Sequence, residues 1–480
     1  MQNYLNHSPL NFHFAKNAKN FVVEEIPLYP FSGSGEHLIL KIRKKNLTTF
    51  EMLNIISSNL GIKKSEIGYA GLKDKESLSI QHISINKKFA KNIESLKLEN
   101  IKILDATFHN NKIKLGHLKG NKFFIRIKKL NKIDAIKLEN ACKIVSLNGM
   151  PNYFGMQRFG KFGDNFKQGE AILQNELKIK NKKISKFLIS AFQSQLFNTW
   201  LEDRINFSKI INDFSLNDAS KKLNIDKEII KKLKNQKHFF KIIKGDICAH
   251  YPNGKYFYIG EINHNFDMSA ENLETKMESL KYKNLKSTLE AKVESSLVST
   301  HCLNSVYNAD LTLKSNTSYK LDSNPSLEST PNLTLSLDSA LESRLANSAL
   351  NLDSTPILAT NLESSNTLDS AIPSIDSSIL SESERFFNHQ IAPTGLLYGK
   401  KAIIAKSLAL EFESNSINDL LKNELGSRRF AWVFVENLEF IYKEDIANGE
   451  LNFALPKGSY ATILLNTLAN KNIDLKDEEK

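Results

Sequence analysis

The sequence predicts an α+β chain of more than one domain. Strand-like runs of β-branched residues alternate with amphipathic helical stretches. At 480 residues the chain is long enough for two or more domains. From about Ile262 to Ser383 the composition turns to Ser, Leu, Asn, Thr and acids, with Phe266, Tyr282, Tyr307 and Tyr319 as the only aromatics. Such a segment buries too little apolar surface to offset its ordering entropy, so residues 262–383 are expected to be mostly disordered. A Leu-acid-Ser unit recurs there at irregular spacing, which argues against a solenoid of fixed period.

In chain order, Phe21–Pro27 reads as a β-branched strand stopped by proline, and His37–Ile42 as another. Thr48 and Glu51 have the spacing of a capping box. They open a helix with Phe50, Leu53, Ile56 and Leu60 on one face, and Gly61 stops it. Gly68 to Gln81 then reads as a short strand, a small-residue turn and a second strand rich in Leu and Ile. Gly68 and Gly71 permit backbone angles and approaches that a side chain would block. Asp74 sits on the turn between Lys73 and Lys75, two cations expected to favour its ionised form. Taken alone, a Lys-Asp-Lys turn reads as a solvated surface loop.

Ile101–Phe108 and Lys122–Ile127 read as strands. Between them, Gly116 to Phe123 puts cations, an amide and an aromatic side by side. Cations suit phosphates, and an amide or an aromatic face suits a displaced base. Phe123 is read as core, whereas Asn121 is either a turn residue or a polar contact. Ile133–Leu147 is a helix ended by Asn148-Gly149. Met150–Gly160, dense in aromatics and glycine with Arg158, is a rigid loop or a hinge. Lys183–Arg204 is an amphipathic helix with Ile184, Phe187, Leu188, Ala191, Leu196 and Trp200 in its core stripe. Lysine-rich helices follow over Ser215–Gln236. Gly245-Asp246 opens a strand, and Pro252-Asn253-Gly254 turns into Lys255–Ile259.

Order is expected to return at Glu384. Helical patterns at Ile403–Glu411 and Ile417–Leu425 precede strands at Phe430–Val435 and Leu451–Leu455. Ser459 is the expected N-cap of a final helix bearing Ala461, Leu464, Leu465 and Leu468 on its apolar face.

The formal net charge is +12. The tract 262–383 holds 16 acidic and 8 basic residues, a net of −8, which leaves +20 on the rest. That balance suits a polyanionic partner, although lysine-rich coding alone raises the same charge. Cys142, Cys248 and Cys302 have no metal-ligand or pairing pattern, which fits a reducing cytoplasm. Neither a signal peptide nor a run long enough to span a membrane is read in the sequence.

Ala70-Gly71-Leu72-Lys73-Asp74-Lys75, followed by Gln81, resembles the catalytic signature of the TruD family of tRNA pseudouridine synthases. Phe21–Glu25, Gly116–Phe123, Asn152–Gly160, Gly245-Asp246, Ile391–Gly399 and Gly458–Thr462 resemble the same family in the same order. The resemblance implies a pseudouridine synthase-type mixed/antiparallel sheet catalytic domain over 1–157 plus 433–480. It implies a family-specific α/β insertion domain over 158–432, with the 262–383 tract inside it, and a V-shaped molecule with RNA in the cleft. It further implies Asp74 as nucleophile, Phe21, Asn121 and Tyr460 as contacts to the target nucleotide, and uridine 13 of tRNA as substrate. The expected partner is tRNA, with no metal, no small-molecule cofactor and a monomeric chain. Tyr460 stands where some members have Phe. Phe14–Asn20 matches loosely, so Lys16 and Lys19 receive no role. A tRNA-binding protein without the reaction, and a scaffold working through the Leu-acid-Ser tract, are the competing readings.

Overall fold

The larger sheet is built from strands whose buried faces alternate with polar ones. Its members are β1 (Phe21–Pro27), β2 (His37–Lys45), β3 (Gly68–Tyr69), β4 (Leu78–Asn86), β5 (Ile101–His109) and β6 (Leu118–Ile127). Two further strands, β13 (Glu436–Lys443) and β14 (Asn448–Pro456), come from the C-terminal end of the chain. The order is β13-β14-β6-β1-β4-β2-β5, with β3 on β4. β1 runs parallel to β4, and all other pairs are antiparallel, so the sheet is mixed. The computed structural model describes residues 2–94, 98–160, 162–252, 254–260 and 375–473. All of these fall in one compact unit.

α1 (Thr49–Leu60) follows β2 and has the expected capping box and a left-handed Gly61 cap. Met52, Leu53, Ile56 and Leu60 pack on Leu40, Ile42, Ile83 and Ile85 of the sheet. Of the two loop glycines, only Gly68 is sterically required. A Cβ there would lie 2.3 Å from the Ile113 carbonyl oxygen, whereas one at Gly71 meets only ordinary contacts. α2 (Ala90–Glu94) is a short turn of helix, and α3 (Lys132–Asn148) packs beside β13.

The chain leaves the large sheet at β7 (Met150–Pro151), which pairs with β12 (Trp432–Val433). Between them come α4 (Met156–Phe159), α5 (Asn165–Leu173), α6 (Lys182–Asp213), α7 (Leu216–Leu223) and α8 (Lys227–Lys234). A second sheet has the order β11-β10-β8-β9, from β8 (Ile247–His250), β9 (Tyr256–Tyr258), β10 (Ile391–Leu397) and β11 (Ser427–Phe430). One hydrophobic core, from Phe123 and Leu451 through Trp432 to Phe197, Trp200 and Ile391, joins the two sheets.

The Gly245-Asp246 pair is explained by packing. Gly245 has φ +86, and a Cβ would lie 1.8 Å from the Lys406 carbonyl oxygen. Asp246 receives both arms of Arg204, at 2.6 and 2.9 Å, and the Ile243 amide at 2.8 Å, all buried.

Several expectations are corrected. Residues 262–374 of the tract lie outside the described residues, and its last residues, 375–383, belong to α9 (Ile375–Phe387), so helix is described before Glu384, with Ile379 and Phe386 packed on the core. The helix expected at Ile403–Glu411 is α10 (Ser407–Glu413), and Ile417–Leu425 holds only a 3-10 turn at Asp419–Leu421. The final helix, α11 (Ala461–Ala469), has Tyr460 rather than Ser459 at its N-cap. The Ser459 hydroxyl is buried without a partner.

Breaking a buried ion pair from one side leaves an uncompensated charge. Asp246→Ala is therefore expected to lower unfolding stability by about 3–5 kcal/mol in urea titrations. Glu444→Ala, which removes the exposed pair with Lys132, should change it by less than about 1 kcal/mol.

Candidate active site

The turn that carries Asp74 is fixed from below. Lys44, on β2 and fully buried, donates to the carbonyls of Leu47 (2.5 Å), Asp74 (3.0 Å) and Lys73 (3.3 Å), and to Ser79 Oγ (3.3 Å). Burial pulls the Lys44 ammonium down to about 8, against the raising effect of Asp74. Thr49, in the first turn of α1, accepts from the Lys73 amide (2.9 Å) and donates to Gln81 (3.1 Å). The strand after the turn is thereby tied to the helix before it.

The flanking lysines do not serve the Asp74 carboxylate as expected. Lys73 turns into a buried pair with Glu25 at 2.7 Å, and Lys75 reaches Glu51 at 3.3 Å. The cation on Asp74 is Lys16, at 2.6 Å, and Gln157 of α4 donates at 3.0 Å. Both bonds fall on Oδ2. Oδ1 accepts none among the described residues, and the side chain is 41% exposed. Burial alone would raise the Asp74 pKa. Lys16, with Lys44 and Gln157 behind it, outweighs burial and holds the carboxyl below its usual range. Lys16 is raised in turn, because Asp74 and Glu76 outweigh its own burial.

Asp74 lines a cavity of about 180 Å³, and Phe21, Asn121 and Tyr460 line the same cavity. Phe21 is 6% exposed and stacks on Phe123, with centroids 6.1 Å apart, and Phe123 stacks on Phe453 at 5.2 Å. Phe123 is core, as read. Asn121 sits mid-sheet on β6, opposite Glu25 and Leu455, and not on a turn. Its Oδ1 is buried and has no hydrogen bond among the described residues. A buried acceptor without a donor is unfavourable until something fills it.

Two guanidiniums complete the wall, Arg429 buried and Arg158 half-buried. Arg158 bonds Ser190 and Ser194, and Arg429 bonds the Asn152 and Gly458 carbonyls. Arg429 lies 4.0 Å from the Phe154 ring centre. Neither arginine has a carboxylate partner among the described residues. Burial, helped by Arg158, draws Arg429 down to about 10. Among the described residues no group of three or more His, Cys, Asp or Glu could hold a metal, and no helix is long and apolar enough to cross a membrane.

Lys44, Gln157 and Arg429 are site residues that the sequence analysis did not single out, and Lys16 was given no role there. The apolar Phe14-Ala15 doublet before Lys16 was the available signal, and both residues are buried in the fold.

A family profile described as "tRNA pseudouridine synthase D (TruD)" matches residues 1–180. A protein of Wolinella succinogenes named tRNA pseudouridine synthase D is 39% identical over 98% of both chains. One of the same name from Nitratiruptor is 38% identical, again over 98% of both. A crystal structure from Methanosarcina mazei described as tRNA pseudouridine synthase D superposes with a TM-score of 0.53. It is 16% identical over 97% of this chain and 95% of the other, a likeness of fold.

Lys16→Met removes the main opponent of burial at Asp74. The Asp74 pKa is expected to rise, read from the aspartate carboxyl 13C shift against pH. The sign for stability follows. A depressed folded pKa stabilises the native state above the unfolded value of about 3.9, and that contribution is lost as pH falls through the folded value. The variant should lose stability at neutral pH and show a shallower acid limb. An unmoved carboxyl titration would exclude Lys16 as the controlling charge.

Proposed function

The chain belongs to the TruD family of tRNA pseudouridine synthases, and from that premise we propose that it isomerises uridine 13 of tRNA with Asp74 as nucleophile. The observation that carries this reading is the division of the Asp74 carboxylate: Oδ2 is tied by Lys16 and Gln157, while Oδ1 is open beside the cavity.

The reaction breaks the bond from ribose C1′ to uracil N1, turns the base and joins C5 to C1′. Composition is unchanged, so neither a reductant nor an energy source is consumed. An ionised carboxylate can split that exchange into two easier steps, and Lys16 keeps Asp74 ionised. The base must leave its stack to reach the carboxylate. Phe21 and Tyr460 supply aromatic faces for it. The unfilled Asn121 acceptor suits the N3–H of uracil, and with the amide turned over its NH₂ suits a uracil carbonyl. Arg158 and Arg429 offer positive charge for the phosphate that follows the base in. All of these residues belong to one chain, which suits the expected monomer. Buried free thiols at Cys142 and Cys248 suit the reducing cytoplasm where tRNA is found.

Asp74→Asn keeps the size of the side chain but cannot supply a full negative charge. It is expected to bind unmodified tRNA near wild-type affinity and to lose orders of magnitude in single-turnover pseudouridine formation. Near-normal turnover in a folded preparation would remove the nucleophile assignment. Binding without turnover in the wild-type chain would favour the tRNA-binding reading.

A further inference from the structure

A second cavity, of about 170 Å³, lies beside the one that holds Asp74, and the two are close to equal in volume. They share Arg429, Lys457 and Gly458. One wall of the second cavity is Lys119-Gly120 and Leu455-Pro456, from β6 and β14. The other is Tyr251 and Tyr256 of the β8–β9 hairpin with Phe430 of β11.

The shared seam is cationic. Arg429 is 8% exposed, and its Nε and Nη2 are occupied by main-chain carbonyls and Asn152. Its Nη1 has no hydrogen bond among the described residues. Lys119 and Lys457 are exposed and enter no ion pair among the described residues, while one acid, Glu436, also lines the cavity. Beyond the seam the character is aromatic. Tyr256 is 39% exposed, and Tyr251 packs edge-on to Phe430 at 5.4 Å. A cavity, a cationic seam and an aromatic-walled cavity of equal size follow the repeat of a single-stranded polynucleotide: base, phosphate, base.

We propose that the second cavity is a subsite for the RNA base next to the target nucleotide, stacked on Tyr256, with the connecting phosphate crossing Arg429 and Lys457. The proposal rests on the Asp74 cavity receiving the target.

The test is a binding cycle with three tRNA transcripts: intact, abasic immediately 5′ of uridine 13, and abasic immediately 3′ of it. Stacking on an aromatic side chain is sequence-tolerant and sizeable, so Tyr256→Ala should weaken the intact transcript about tenfold. One abasic transcript should weaken wild type by a similar factor, and on that transcript Tyr256→Ala should add less than about twofold, as expected of coupled partners. Tyr256→Phe keeps the ring and should bind as wild type does, which separates stacking from misfolding. The proposal is overturned if Tyr256→Ala binds intact tRNA normally. It is equally overturned if the loss is the same on all three transcripts, which would place the Tyr256 contact elsewhere on the tRNA or its occupant in another class. The cycle is read on affinity, so failure of wild type to form pseudouridine would sink the reaction assignment and leave this readout standing.

Discussion

The site depends on one buried ammonium. Lys44 meets no carboxylate within hydrogen-bond reach among the described residues, and its three N–H groups are shared among three main-chain carbonyls and one hydroxyl at the base of the Asp74 turn. An ammonium has three donors and no acceptor, so it can gather carbonyls that point inward from different segments. An apolar residue there would leave those carbonyls buried and unpaired. Burial draws the Lys44 pKa down to about 8, so it opposes the charge that holds the turn together. The cation that shapes the turn is thus distinct from Lys16, the one that acts on the carboxylate.

Around that turn the large sheet gathers side chains from distant parts of the sequence. Phe21 and Asn121 come from the neighbouring strands β1 and β6, and Tyr460 from the turn that follows β14, which pairs with β6. Gln157 and Arg158 arrive from beyond β7, and Arg429 from just before β12. Polar bonds collect on one oxygen of Asp74, and the aromatic row Phe21-Phe123-Phe453 runs from the cavity into the core. Reactive geometry and folding stability therefore draw on the same packing.

Much of this was legible in the sequence, for reasons that can be named. The capping box at Thr48, the left-handed stop at Gly61 and the β-branched run at Phe21 are local signals, and local signals survive into the fold. The motif residues Asp74, Asn121 and Tyr460 were legible as a set by resemblance, since no local rule brings strands so far apart in sequence together. What failed to read was charge placed inside. The strand read as His37–Ile42 continues through Arg43-Lys44-Lys45, and Lys44 is fully buried. Lys73 and Lys75 were assigned to Asp74 by adjacency, but successive residues at the turn face different ways and find Glu25 and Glu51. Composition records that a lysine is present, whereas its partner is fixed by tertiary contacts.

Gly260 and Ile379 meet where the described chain breaks off and resumes: a Cβ on Gly260 would lie 3.0 Å from Ile379 Cδ1. A junction whose two ends already touch sets no minimum span on what joins them, and for a flexible connection each doubling of length costs only about 0.6 kcal/mol. The contact between Gly260 and Ile379 therefore places no demand of its own on the number of residues that lie between 260 and 375.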